Sequence, residues 1–168
     1  MYLKSLELQG FKSFPDKTLI RFGDDITAIS LCGMGGETIR DILDSGKVRL
    51  NGRERLILQP NGGEQPLRRW LMENGYQIFH EELLRENRFY YEIIVAERNE
   101  AMTYTAEQLY FGPLQMHTRS PEFLAKWQRI VREKRKTLAS LEQARQVVSE
   151  QKVQEIAQQV KWIDQLLA

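Results

Sequence analysis

Two apolar segments, each followed by a glycine-containing turn and a helical pattern, constrain the fold of this chain most strongly. The first covers residues 26–32 and runs into residues 33–36 (Gly-Met-Gly-Gly) and a helical pattern over residues 38–43. The second covers residues 55–59 and leads, through another turn, into a helical pattern over residues 65–74. Almost unbroken apolar runs of this length are typical of strands buried on both faces. Two successive strand–turn–helix units imply parallel strands, so we predict an α/β fold with a parallel sheet.

The next part of the chain has the pattern of a β-hairpin. Residues 76–85 and 88–98 are two long β-type runs separated only by Glu86-Asn87. This spacing predicts that the parallel sheet ends in an antiparallel pair. The stretch around Gly112 that follows is expected to be irregular.

Two short β-type runs precede the first apolar segment. They cover residues 3–8 and 18–22 and are predicted to be strands joined by a loop. In a sheet that begins with the strand over residues 26–32, one edge of that strand is unpaired, apolar and prone to self-association. We expect the two N-terminal strands to pair along that edge and cover it.

Two amphipathic helices are predicted at the C-terminus. Ser120 fits an N-cap and Pro121 a first helical position, and apolar residues then recur in steps of four and three to about residue 148. A second helix, with apolar steps of three and four, covers residues 153–167. Two such helices close together in sequence predict an antiparallel coiled-coil hairpin.

The composition fits one globular domain with an appended element, because the chain has 168 residues, of which 42% are hydrophobic and 28% charged. No apolar run reaches the ~18 residues of a membrane span and the start lacks a secretory pattern, which predicts a cytoplasmic protein without a membrane partner. The single cysteine, Cys32, and the two histidines, His80 and His117, have no zinc-ligand spacing. We therefore expect no metal site.

The glycines at residues 33–36 invite a nucleotide-binding interpretation, because residues without Cβ let backbone N–H groups approach a phosphate. In a P-loop alignment, however, the essential lysine falls on Glu37 and the leading glycine on Leu31. The dinucleotide fingerprint fails as well, because its sixth position is Thr38. From the residues alone, a tight strand-to-helix turn without a ligand is the favoured interpretation.

Four spaced motifs within residues 29–168 resemble the bacterial tRNA (adenine-22-N1)-methyltransferase family, known as TrmK. They are CGMGG from Cys32, ERLILQPN from Glu54, RFYYEIIVAE from Arg88, and FGP from Phe111 followed by SPEFLAKW. The resemblance implies the second half of a Rossmann-like methyltransferase sheet, a C-terminal coiled coil, S-adenosylmethionine as cofactor and tRNA as partner. It also implies cofactor contacts from Gly33, Met34, Gly35 and Gly36, and contacts to the substrate base from Gln59, Pro60 and Asn61.

The chain departs from the family at its beginning. The family's opening motif, of the type Asp-x-Gly-x-Asp-His on the first strand, has no counterpart in this sequence. Residues 1–29 instead resemble the N-terminal segment of the ATPase heads of structural maintenance of chromosomes (SMC) proteins, without their P-loop. These resemblances imply SMC-like strands over residues 1–29, a partial methyltransferase domain over 30–115 and a coiled-coil hairpin over 116–168. They also imply a truncated family member, which we expect to be a slow enzyme on its own.

Positive charge is concentrated near the C-terminus. From Arg119 onward the chain carries ten lysines and arginines against six acidic residues, although the whole chain has a net charge of only +1. Such a surplus on one helix indicates phosphate contacts, and an ordinary solvated helix face stays open as the alternative. Lys134 falls on the heptad seam, where a charge predicts that the two helices splay apart. The predicted tRNA-binding cations are Arg119, Lys126, Arg129, Arg132, Lys134, Arg135 and Lys136.

No residue is assigned a catalytic role. Adenine N1 has an in-plane lone pair, so its methylation needs alignment and a pocket for a flipped-out base rather than a strong general base. His80 and His117 are interpreted as structural, and Tyr90 and Tyr91 as core residues rather than base-stacking ones. The leading hypothesis is a tRNA adenine-N1 methyltransferase family member. The alternatives are a noncatalytic RNA-binding remnant and a fragment of an SMC-type ATPase head.

Overall fold

The computed structural model describes residues 5–8, 18–21, 28–50, 52–99, 102–143 and 149–168. The strands are β1 (Ser5–Leu8), β2 (Thr18–Arg21), β3 (Ala28–Met34), β4 (Arg55–Pro60), β5 (Tyr76–Glu86) and β6 (Phe89–Arg98). The helices are α1 (Gly36–Gly46), α2 (Glu64–Glu73), α3 (Ala106–Phe111), α4 (Pro113–Thr118), α5 (Pro121–Gln143) and α6 (Glu150–Leu167), and a 3₁₀ turn covers Lys47–Arg49.

The main sheet has four strands in the order β3-β4-β6-β5. β3 and β4 are parallel and are connected through α1, as two successive strand–turn–helix units predict. β6 is antiparallel to both β4 and β5, so the predicted hairpin closes the sheet. The hairpin turn lies one residue later than predicted, because Glu86 pairs with Phe89 and the left-handed backbone of Asn87 (φ 55°) is part of the turn. The mixed α/β fold is thus confirmed.

The predicted burial of the first apolar strand on both faces is wrong. In β3 only alternate residues are buried: Ile29 and Leu31 point into the core, whereas Ala28, Ser30 and Cys32 are exposed. The buried side packs in one apolar cluster with residues of α1 and α2, including Ile39, Leu67 and Leu71. Each of these helices has one apolar stripe, and both lie against the same face of the sheet. Only the side chains of β3 that point to this face are therefore buried.

The two N-terminal strands do not cover the edge of β3. β1 and β2 pair with each other, antiparallel and in the register Ser5 with Arg21, as a separate two-stranded sheet. Among the described strands, β3 is hydrogen-bonded to β4 alone. The expected capping of this edge is therefore wrong, and the predicted ends at residues 3–4 and 22 lie outside the described residues, as do residues 26–27 of the first apolar strand.

The stretch around Gly112 is helical rather than irregular. Thr105 begins α3 with a capping box, in which its side chain accepts a hydrogen bond from the backbone of Gln108 and the Gln108 side chain accepts one from Thr105. Gly112, with φ 96°, separates α3 from α4, which starts at Pro113. Each of these helices has only six residues, fewer than two helical turns. An apolar repeat with the 3.6-residue period of a helix cannot be recognised over so short a segment.

The two C-terminal helices pack against each other in antiparallel orientation. Near the start of α5, Arg119 bonds to the backbone of Leu166, and further along Lys134 bonds to Gln159. Phe123, Trp127 and Val131 of α5 share an apolar cluster with Ile163 and Leu166 of α6. The coiled-coil geometry stays a prediction, and residues 144–148 lie outside the described residues. None of the helices described is both long and apolar enough to cross a membrane.

Candidate functional site

The turns that follow β3 and β4 are joined to each other by backbone hydrogen bonds. The Asn61 N–H donates to the Met34 carbonyl at 2.8 Å, and the Gly36 N–H donates to the Gly62 carbonyl at 2.7 Å. Because β3 and β4 are parallel, both turns lie at the carboxyl-terminal edge of the sheet, which is where open α/β sheets bind ligands. The fold thus brings the predicted cofactor residues and the predicted substrate residues into one place.

The glycines of the first turn have different roles. A Cβ on Gly36 would lie 2.1 Å from the carbonyl oxygen of Gly63, so this glycine permits the close approach of the two backbones. A Cβ on Gly33 would meet nothing within 4 Å, and one on Gly35 would meet only Thr38 Oγ1 at 3.9 Å. Gly33 also has φ +76°, which favours glycine. The tight-turn interpretation therefore explains Gly36, while the space where side chains would project from Gly33 and Gly35 is open to a ligand.

Gln59 connects the side chains and backbones of the two turns. Its Oε1 accepts a hydrogen bond from the Gly33 N–H at 2.9 Å, and its Nε2 donates to Asn61 Oδ1 at 3.0 Å. Asn61 itself is exposed, whereas Pro60 is buried. The result is an oriented amide on the surface beside the glycine turn.

A buried ion cluster lies behind this edge. The Arg68 guanidinium of α2 bonds to Glu81 at 2.8 Å and to Glu92 at 2.5 Å, and the Lys126 ammonium of α5 bonds to the second oxygen of Glu92. The backbone N–H groups of Leu114 and Gln115 also donate to Glu81, at 2.9 and 3.3 Å. Sequence analysis missed this cluster. Alternate residues of a strand point to the same face, so the position of Glu92 two residues before Ile94 and four before Ala96 could have indicated that it is buried.

The charges in this cluster stabilise one another. Burial by itself would raise the pKa of Glu92, but the positive charges of Arg68 and Lys126 outweigh burial and hold that pKa below its ordinary value. Burial would likewise lower the pKa of Arg68, and the carboxylates of Glu92 and Glu81 raise it instead. Arg68 and Glu92 therefore stabilise each other in their charged forms.

Lys126 is buried in this ion cluster, so its predicted role in binding tRNA is not compatible with its place in the fold. It also lies 4.0 Å from Glu64, in the wall of a cavity of about 340 Å³ beside Gly63, Tyr110 and Trp127. A lysine whose charge is matched by Glu92 and whose side chain is only 11% exposed has little left to offer a phosphate.

The other predicted RNA-binding cations fall into two groups. Lys134 faces α6, where it donates to Gln159 at 2.6 Å and where burial lowers its pKa, so the helices do not splay at this position. Arg119 is exposed but donates to the carbonyl of Leu166. Four exposed cations, together with Glu133, instead line a shallow groove of about 430 Å³ on the outer face and edge of α5: Arg129, Arg132, Arg135 and Lys136. At the edge, Arg135 also pairs with Asp164 of α6 at 2.7 Å.

The tyrosines and histidines that sequence analysis considered as functional residues lie at or near the surface. Tyr90 and Tyr91 are half-buried, and Tyr90 contacts the guanidiniums of Arg85 and Arg129. His80 is exposed, 3.7 Å from Glu82, and His117 is exposed near the end of α4. Within the described ranges, no three His, Cys, Asp or Glu side chains come together as metal ligands.

Comparison with known proteins identifies the family. The chain matches the model of the TrmK family, tRNA (adenine(22)-N(1))-methyltransferase, over residues 16–165. It is 32% identical over 147 residues to the tRNA (adenine(22)-N(1))-methyltransferase of Bacillus subtilis (strain 168), covering 83% of this chain and 61% of that protein. The family match begins at residue 16, inside the segment 1–29 for which SMC-like strands were predicted.

Solved structures give the same result. The crystal structure of the B. subtilis M1A22 tRNA methyltransferase TrmK aligns with a TM-score of 0.77 at 31% identity, over 84% of this chain and 63% of that one. Sp1610 of Streptococcus pneumoniae, in complex with S-adenosyl-L-methionine, aligns with a TM-score of 0.73 at 34% identity, over 84% and 60%. The chain spans about three fifths of the length of these relatives. Its sequence and its fold both place this chain in the TrmK family of tRNA (adenine(22)-N(1))-methyltransferases.

Proposed function

We propose that the two joined turns form part of a site that transfers a methyl group from S-adenosylmethionine to N1 of an adenine in tRNA. The observation that carries this proposal is the pair of backbone hydrogen bonds that unites residues 33–36 with residues 59–62 at the carboxyl edge of the parallel strands. Family membership supports the reaction type, and the complex of Sp1610 with S-adenosyl-L-methionine supports the cofactor.

The residues of the first turn fit such a cofactor. S-adenosylmethionine supplies an electrophilic methyl group on a sulfonium. In this chain, Gly33, Met34 and Gly35 would lie against it, because the space where side chains would project from the two glycines is open. Gly36 maintains the turn from below through its contact with Gly63.

The second turn would hold the base. Asn61 has an amide that can pair with the N6 and N7 atoms of adenine, an arrangement that leaves N1 free to react. Gln59 fixes the orientation of that amide through its bond to Asn61 Oδ1, and Pro60 shapes the turn beneath it. Because N1 needs no deprotonation, alignment of this kind is the main catalytic contribution we expect from the chain.

The proposal extends to the organisation of the chain and to its rate. We assign the methyl-transfer part to residues 30–115 and a helical tRNA-binding hairpin, built as a coiled coil, to residues 116–168, in a cytoplasmic protein. Because the 168 residues contain no Asp-x-Gly-x-Asp-His motif, we expect this chain alone to turn over slowly compared with a full-length relative.

Two measurements on the purified chain test the proposal. Titration calorimetry with S-adenosylmethionine should give saturable binding, and labelled S-adenosylmethionine with unmodified tRNA should give slow incorporation at adenine N1. Binding of tRNA without any affinity for the cofactor would favour the alternative, a noncatalytic RNA-binding protein, which the basic groove on α5 supports by itself. Absence of tRNA binding would refute the proposed function, whether or not the cofactor binds.

A further inference from the structure

We propose that the tip of the β5–β6 hairpin, together with the outer face of α5, binds the RNA strand next to the methylated base, and that Phe89 stacks on an unpaired base. This inference rests on the proposed function and names a contact surface for the same substrate. The surface consists of Arg85, Arg88, Phe89, Tyr90 and Arg129, and we call it the hairpin-tip surface.

The hairpin reaches past the candidate site on the same edge of the sheet. Leu58 of β4 pairs with Ile94 of β6, and β4 ends two residues later at Pro60. In this antiparallel register, residues 89–91 of β6 extend beyond the end of β4, by about 10 Å at ~3.4 Å per residue. An RNA whose target base lies at Asn61 would therefore have its neighbouring nucleotides within reach of the tip.

The tip is rich in guanidinium groups that are held in place. The Arg129 guanidinium lies 5.0 Å and the Arg85 guanidinium 5.8 Å from the centre of the Tyr90 ring. Arg129 also donates to the Arg88 carbonyl at 3.1 Å, which fastens α5 to the hairpin turn. Stacked guanidiniums keep their charge and lose little further freedom when they bind a phosphate.

The charge of the surface suits a nucleic acid. Arg129 belongs both to this surface and to the groove on α5, so the cations continue from the hairpin tip along the helix. Two acidic residues adjoin these arginines in the chain or in space: Glu86 precedes the turn of the hairpin, and Glu133 lies 3.7 Å from Arg129. A surplus of arginine beside exposed aromatic rings is the pattern of single-stranded nucleic-acid binding.

Phe89 supplies the stacking surface. Its side chain is 52% exposed at the very tip of the hairpin, and the Arg88 guanidinium lies 5.1 Å from the centre of its ring. An exposed phenylalanine in this position gains nothing for the core of the protein, whereas a base stacked on it would remove its apolar face from water. Stacking of this kind accepts any base, so the surface would favour an unpaired strand rather than a particular sequence.

The chain contains a matched control for this phenylalanine. Phe79 is 60% exposed and has the Arg55 guanidinium 5.5 Å from its ring centre, so its local environment resembles that of Phe89. It lies beside the bulge between Ile78 and His80, near the opposite end of the hairpin. Phe79→Ala therefore removes the same exposed ring without touching the proposed surface.

Fluorescence anisotropy with a labelled, unmodified tRNA transcript tests the inference. We expect Phe89→Ala to weaken binding at least about fivefold, Phe89→Trp to restore it, and Phe79→Ala to leave it unchanged. The double variant Arg85→Gln/Arg88→Gln should reduce the slope of log affinity against log salt concentration by roughly 1.5 units. Circular dichroism and thermal melting of each variant establish that it is folded, and Phe89→Leu replaces Phe89→Ala if the latter is not.

The outcomes separate this inference from the proposed function. If the parent chain binds tRNA and the Phe89 and arginine variants bind equally well, the hairpin-tip surface is refuted and the proposed function stands. Equal losses in Phe79→Ala and Phe89→Ala would also refute it, since the effect would not depend on position. If the parent chain binds no tRNA in 50 mM salt, the proposed function itself fails and this inference fails with it.

Discussion

Replacement of Gly36 by alanine should disrupt the joint between the two turns, whereas the same change at the neighbouring Gly35 should be tolerated. The new Cβ of Gly36→Ala would lie 2.1 Å from the carbonyl oxygen and 2.6 Å from the carbonyl carbon of Gly63. Both are backbone atoms, so no side chain can rotate away. The turns must move apart by about 1 Å to reach ordinary contact distances.

The size of the effect follows from what this movement breaks. Overpacking of this kind costs about 1–3 kcal/mol. The movement also weakens two hydrogen bonds, from the Gly36 N–H at 2.7 Å and to the Met34 carbonyl at 2.8 Å, each worth about 1 kcal/mol. We expect the free energy of unfolding to fall by about 2–5 kcal/mol, and the melting temperature by about 4–20 °C for a chain of this length.

Urea denaturation followed by circular dichroism measures this loss. Gly35→Ala is the control, because Gly35 has φ −62° and its new Cβ would meet only Thr38 Oγ1 at 3.9 Å. Its free energy of unfolding should stay within about 0.5 kcal/mol of the parent value. Equal stability of the two variants would show that the turns are not joined as described.

Three further predictions concern the ion cluster, the base site and the basic groove. Arg68→Met should lower the free energy of unfolding by about 3–5 kcal/mol at pH 7, because it leaves two buried carboxylates without their main partner. In the parent chain, the stabilisation from Glu92 should be present above its ordinary pKa of 4.5 and be lost as the pH falls through the lowered folded value, as urea denaturation across pH 2–7 can measure. Asn61→Ala should leave the melting temperature nearly unchanged, because this side chain is exposed, yet reduce methyl incorporation into tRNA about tenfold or more. The triple variant Arg129→Gln/Arg132→Gln/Arg135→Gln should reduce the slope of log tRNA affinity against log salt concentration by roughly two to three units. Its circular dichroism spectrum should stay unchanged.

The sequence predicted the elements of the sheet well because local signals agree there. Apolar runs and glycine turns placed the ends of β4 and α2 within one residue and the end of β3 within two, and the antiparallel hairpin followed from its spacing. It failed where the outcome depended on contacts between distant residues. The exposed face of β3 and the separate pairing of β1 with β2 depend on which elements lie beside them, and no local pattern carries that information.

The candidate site shows the same division at the level of single residues. The sequence indicated that Gly33, Gly35 and Gly36 form one turn, but which glycine contacts another backbone depended on the position of Gly63, 27 residues after Gly36. Likewise, the pairing of Arg68 with Glu92 joins residues of α2 and β6. A buried charge pair becomes predictable only when the strand parity of one partner and the helix face of the other are considered together.

The distribution of cations on α5 could have been predicted from the sequence by helical geometry. Lys126 lies three residues after Phe123 and four before Ile130, which places it at the edge of the apolar face, and Lys134 lies four after Ile130 on the same side. Both are withdrawn from solvent in the structure, where one pairs with Glu92 and the other with Gln159. The other cations of this helix keep exposed side chains. Arg129, Arg132 and Lys136 lie on the outer side, whereas Arg135 lies four residues after the buried Val131 and pairs with Asp164 of α6. Charge density alone treats all six as equal, whereas only the four whose side chains stay exposed can meet a phosphate. The RNA-binding surface of α5 therefore follows from the positions of its apolar residues as much as from the number of its basic ones.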